Sequence, residues 1–266
     1  MSNFLLYLWQ SVQMTVLTFI LAFGIPLLLA FVQNFISSYN EKLGYRIMGR
    51  KLYYALVARI GVPVHELGHA LFAIVFRHKI TEMKLFDPNG PNNSLGYVNH
   101  AYNKKSLYQN VGNFFIGIAP VILGSLLLYI LSVILFDVTS RSTGDEQLAS
   151  GQAGLILNRG WMLIQEVFTS GSFLKSFLFL YLVFAIGSNI TLSKADITGA
   201  KKGFGYLILF LFILHFATLW LSDSPSEMRS FFAGLVSGFT LILGVAILLN
   251  LLFSLILTVL SRVLSK

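Results

Sequence analysis

Long apolar runs separated by short polar segments set the pattern of this chain. The first run, residues 4–36, holds no charged residue. It shows neither a basic leader nor a small-residue cleavage site, so it predicts a retained membrane helix rather than a signal peptide. Gln10, Ser11, Gln13, Thr15 and Thr18 interrupt it and are expected to face other helices. A basic stretch with Lys42, Arg46, Arg50 and Lys51 leads to a second run, 52–76. Further runs cover 107–136, 172–192, 204–221 and 231–260, with Gly234 and Gly238 in the last spaced for helix packing.

The polar segments between these runs carry their own signals. Asp87, Pro88, Asn89, Gly90, Pro91, Asn92 and Asn93 form a turn cluster between 80–86 and 95–102, two stretches able to pair as a hairpin. Residues 137–172 are the longest polar segment, and 155–168 within it has the spacing of a helix lying along a membrane surface. The pattern therefore predicts an all-α polytopic membrane protein. It has about six transmembrane helices, with a short β-hairpin-like segment between helices 2 and 3. No repeat divides it, so 1–266 reads as a single membrane domain with a catalytic core at 52–200.

Composition agrees. Of 266 residues 56% are hydrophobic and only 11% charged, against about a quarter charged in soluble domains. The net charge of +8 comes from Lys and Arg between the apolar runs, as expected for loops facing anionic lipid, so nucleic-acid binding is not expected. A slight excess of these cations on one set of loops places the N-terminus in the cytoplasm of a multi-pass cell-membrane protein. There is no cysteine, which excludes disulfides and thiolate ligands.

Chemistry enters with His65-Glu66-Leu67-Gly68-His69, an H-E-x-x-H sequence inside the second run. On a helix, positions i and i+4 share a face, so both imidazoles can point at one metal ion. Neutral imidazole suits zinc, and a catalytic zinc site takes three protein ligands and keeps a further position open. Glu66 sits where it can act as general base on a water. An ionisable residue at the bilayer centre costs at least ~2.5–3.5 kcal/mol, so three together imply a partner. The competing reading is a buried polar cluster bonded to neighbouring helices.

A third ligand must come from another segment. Between Glu166 and Asp223 the only carboxylate is Asp196, expected at the C-terminal end of the fourth span. Spans two and four run in the same direction, so Asp196 can reach the depth of the histidines. The alternative pairs it with Lys194 or Lys201. His100 and His78 compete as ligands, with solvated loop histidines as their plainer reading. His215, alone in an apolar run, is expected to hydrogen-bond a neighbour.

With His65-Glu66-Leu67-Gly68-His69 followed by Ala70, and Asp196 inside 189–199, the chain resembles the site-2 proteases, which are intramembrane zinc metalloproteases. The likeness covers roughly 52–200. It implies one zinc ion held by His65, His69 and Asp196, with Glu66 as catalytic base. The implied substrate is a transmembrane segment of another membrane protein. The chain departs from the family's Pro-rich Asn…Leu-Asp-Gly segment: prolines are missing, and Gly199 follows Asp196 by three residues.

Hydrolysis needs water, so the site must open to a polar cavity. Gly61, Pro63, Gly68, Gly112, Asn113, Gly117 and Pro120 are candidate liners, or else positions of helix packing and kinking. An unwound substrate can pair with the strand edge at Tyr97 and Val98, and Asn189 can hydrogen-bond it. The expected activity is an intramembrane zinc endopeptidase. The alternative from another class is a non-catalytic zinc-binding carrier or scaffold, against which stands the presence of Glu66.

Overall fold

The computed structural model describes residues 3–90, 94–136, 161–169, 171–221 and 225–264. Part of the expected turn, 91–93, and residues 137–160 of the long polar segment lie outside the described residues. Helix α1, Asn3–Phe19, passes through a π-turn at Ile20–Gly24 into α2, Ile25–Tyr53. Pro26 accounts for that turn, because it offers no N–H to the carbonyl one turn back and the ladder widens to compensate. A second π-turn, Tyr54–Ala58, leads into α3, Arg59–Val75, which contains Pro63. The basic stretch 42–51 is thus helical. It is broken at Gly49, whose φ of 76° is left-handed and suits glycine. The break folds the chain back. The Tyr53 ring packs on Gly44 and edge-on to Tyr45 at 5.1 Å, although a straight helix would hold residues 44 and 53 about 13 Å apart.

Arg77 ends α3 in the left-handed region (φ 58°), and the His78 N–H returns to the Ala73 carbonyl at 2.8 Å. That cap turns the chain into an antiparallel pair, β1 (Lys79–Lys84) and β2 (Tyr97–Ala101). Lys79 stands opposite Ala101 and Lys84 opposite Tyr97, with a bulge between Ile80 and Glu82. The helices that follow are α4 (Leu107–Phe136), α5 (161–169), α6 (Phe173–Gly187), α7 (Lys194–Leu221) and α8 (Pro225–Leu264).

Among the described residues four helical stretches are long and apolar enough to cross a bilayer: Phe4–Val75, Leu107–Phe136, Lys194–Ala217 and Leu243–Val263. The first contains two of the expected runs, and the 15 residues of α6 fall short of the roughly 20 a span requires. One boundary differs in a way that matters. The fourth run ends at Gly187, and the next helix starts at Lys194 rather than near 204, so Asp196 opens α7 instead of closing α6.

α4 packs on both α3 and α7, α1 on α7, and α2 on α8. Polar side chains join these helices where water is scarce. Asn34 makes reciprocal bonds to the Leu192 main chain at 2.8 and 2.9 Å, which fixes the link between α6 and α7. Asn40 donates to the Asn250 carbonyl, and Ser188 to the Asn250 side chain. In α1, Ser11, Thr15 and Thr18 are buried as expected, whereas Gln10 and Gln13 are exposed. Thr15 and Thr18 face the two ring nitrogens of His215, which is accordingly a hydrogen-bonding residue between helices.

Candidate metal centre

His65 and His69 lie one turn apart on α3, and each is turned by a carbonyl from another element. His65 Nδ1–H donates to the Asn189 carbonyl at 2.9 Å, and His69 Nδ1–H to the Ile116 carbonyl of α4 at 2.7 Å. With both Nδ1 protons committed, each Nε2 carries a lone pair. Those two atoms stand 3.2 Å apart. Asp196 completes the group, with Oδ1 at 3.1 Å from His69 Nε2 and Oδ2 at 3.7 Å from His65 Nε2.

Asp196 is set by its helix end. Its Oδ2 accepts from the Ser193 N–H at 2.7 Å, while Ser193 Oγ accepts from the Asp196 N–H at 3.1 Å. This is a reciprocal cap on the first turn of α7, where a carboxylate also meets the favourable end of the helix dipole. Gly117 lets α4 reach this turn, since a Cβ there would stand 2.5 Å from the Asp196 carbonyl oxygen.

The donor set fits a metal ion. One ligand atom from each of the three residues lies within 4.8 Å of the other two. A tetrahedral zinc with bonds of 2.0–2.1 Å sets its ligands roughly 3.3 Å apart, close to the 3.2 Å between the two imidazole nitrogens and the 3.1 Å from His69 Nε2 to Asp196 Oδ1, while His65 Nε2 lies 3.7 Å from the other oxygen, Oδ2. Electron-rich atoms at such separations repel unless a proton or a metal ion lies between them. His65, His69 and Asp196 could therefore hold a metal ion, and among the described residues they are the one such group.

Glu66 is 7% exposed, and its carboxylate makes no hydrogen bond to the described protein atoms. The hairpin lies over it, for a Cβ on Gly96 would meet Glu66 Cγ at 2.8 Å. Glu66, the two histidines and Asp196 share a cavity of about 580 Å³ with residues 94–100, Asn113 and Asn189. A second cavity of about 280 Å³ adjoins it, and Glu41, Leu95, Asn189, Thr191 and Ser193 line both. Tyr97 and Val98 face the larger cavity. Asn189 lines it too, but its side-chain N–H is bonded to the Ala185 carbonyl while its own carbonyl holds His65.

The structure does not bring His78 or His100 to the group. His78 Nε2–H donates to the Gln109 carbonyl at 2.9 Å, and its Nδ1 lies 2.9 Å from His100 Nδ1. His78 also stacks on Tyr102 at 5.0 Å. Burial keeps both histidines neutral, lowering His78 and taking His100 to about 4, with His78 beside it adding to the effect. This pair ties the hairpin to the ends of α3 and α4, a role the sequence reading had not assigned.

A helical membrane protein with a largely buried two-histidine, one-carboxylate group, beside a glutamate that makes no hydrogen bond among the described residues, is thus the class that fold and site define. No protein-family model, curated protein or solved structure matches the chain.

Proposed function

We propose that this chain is an intramembrane zinc endopeptidase of the site-2 protease kind. On this reading it is a cell-membrane protein of about six spans, the short α6 crossing where the bilayer is locally thinned, with its N-terminus in the cytoplasm. The observation that carries the reading is the convergence of His65, His69 and Asp196 beside an unbonded Glu66 in one cavity. A purely structural metal site has no use for that glutamate. When bound, zinc would lower the pKa of water toward 7 and polarise a peptide carbonyl.

The chain's own residues do the rest. The substrate is a membrane protein whose transmembrane segment unwinds to expose a peptide bond. Its extended main chain lies along the edge of β2 at Tyr97 and Val98, the edge not taken by β1. Asn189 borders this path. The Glu66 carboxylate takes a proton from water as the water oxygen bonds to the carbonyl carbon. That proton passes to the nitrogen as the C–N bond breaks, giving a carboxylic acid and an amine. The polar walls of both cavities supply the route for water.

The test compares Glu66→Gln with wild type in vesicles. Full metal content with cleavage of transmembrane peptides abolished supports the proposal. Cleavage at the wild-type rate by Glu66→Gln would refute it.

A further inference from the structure

Helix α4 turns Asn113, Ile116 and Gly117 toward the centre, at i, i+3 and i+4. Ile116 gives its carbonyl to His69, and Gly117 abuts Asp196. Asn113 has no such assignment. It is 3% exposed and lines the cavity, yet its amide nitrogen is buried without a hydrogen-bond partner. Two other side-chain atoms among the described residues share that condition, Gln33 Oε1 and Ser125 Oγ, and neither residue lines this cavity. Buried donors left unpaired are costly and rare. One kept at the wall of a reaction cavity is suited to a partner that arrives with the substrate.

We propose that Asn113 is a catalytic residue whose amide N–H donates to the scissile carbonyl oxygen, an inference that rests on the protease reading above. As the water oxygen bonds to the carbonyl carbon, the π electron pair moves onto the carbonyl oxygen. A donor there stabilises the developing charge more than it stabilises the resting carbonyl. The proton taken by Glu66 returns to the leaving nitrogen, so Asn113 gives up no proton. Asn113 lines the cavity while its nitrogen is buried, so donation to the substrate requires the amide to rotate about its terminal torsion, a broad and soft one.

Asn113→Leu keeps the approximate shape and removes the donor, with Asn113→Ala as a second variant should leucine not fit. The assay uses a fluorogenic transmembrane peptide that wild type cleaves and Glu66→Gln does not. We expect kcat to fall by roughly 10²–10³ with KM within about twofold of wild type. Metal content should be unchanged, and the melting temperature unchanged or higher because an unpaired donor is gone. Wild-type kcat, or a raised KM with kcat intact, overturns the proposal. So does a loss of melting temperature or metal that accounts for the lost rate. If wild type cleaves no such peptide, the protease reading fails and this inference with it; if both variants cleave normally, the inference alone fails.

Discussion

Ser193 and Asp196 cap each other across the first turn of α7, and the same Asp196 carboxylate faces both histidines of α3. Folding of a helix end and assembly of the centre are therefore one event. The dipole and the cap hold the carboxylate before any metal arrives.

Ser193→Ala should separate these roles. Losing the hydroxyl that accepts the Asp196 N–H costs about 1 kcal/mol of stability. Metal affinity should change little, because the Ser193 N–H that holds the Asp196 carboxylate belongs to the main chain and survives the substitution. Thermal melting and chelator competition check this. A large loss of affinity would mean that the hydroxyl, and not the main-chain N–H, positions the carboxylate.

Gly117→Val puts a Cβ 2.5 Å from the Asp196 carbonyl and 2.7 Å from Ala200 Cβ. Neither backbone nor helix packing can give way cheaply, so a loss of roughly 1–3 kcal/mol is expected, together with loss of bound metal. Gly205→Ala, where nothing lies within 4 Å, should retain both. Equal behaviour of the two variants would contradict the close approach of α4 and α7.

The histidine pair at the hairpin predicts an acid-sensitive attachment. His100 titrates at about 4 when folded, below its ordinary 6.5, because burial disfavours its charged form. The unfolded chain therefore binds the extra proton first. Its contribution is fully present above about 6.5 and is lost as pH falls toward 4. His100 is partly open to solvent, so the effect should be on the order of 1 kcal/mol. Melting curves from pH 7 to 4 should show a shallower decline for His100→Phe than for wild type, and parallel declines would contradict the burial of this pair.

Much of the site was legible from residue types and spacing. His65 and His69 at i and i+4 read as a metal pair because a helix puts them on one face, and the turn cluster at 87–93 located the hairpin. Apolar content ends the fourth run near 192 and so puts Asp196 at its close, whereas the helix that carries Asp196 begins at Lys194. Ser193-Lys194-Ala195-Asp196 is a capping pattern that announces a helix start. The fold-back at Gly49 was hidden inside a basic stretch with ordinary helix formers. The Ile116 and Asn189 carbonyls that orient the histidines left no trace, since every residue has a carbonyl and only tertiary packing selects which one is used.

Zinc-edge X-ray absorption on the purified protein, with metal quantified on the same sample, tests the centre most directly. About one zinc per chain is expected, in a shell of nitrogen and oxygen at about 2.0–2.1 Å, with the imidazole signal lost in His65→Ala and His69→Ala. Protein that carries no stoichiometric metal, or a shell that those substitutions leave unchanged, would contradict it.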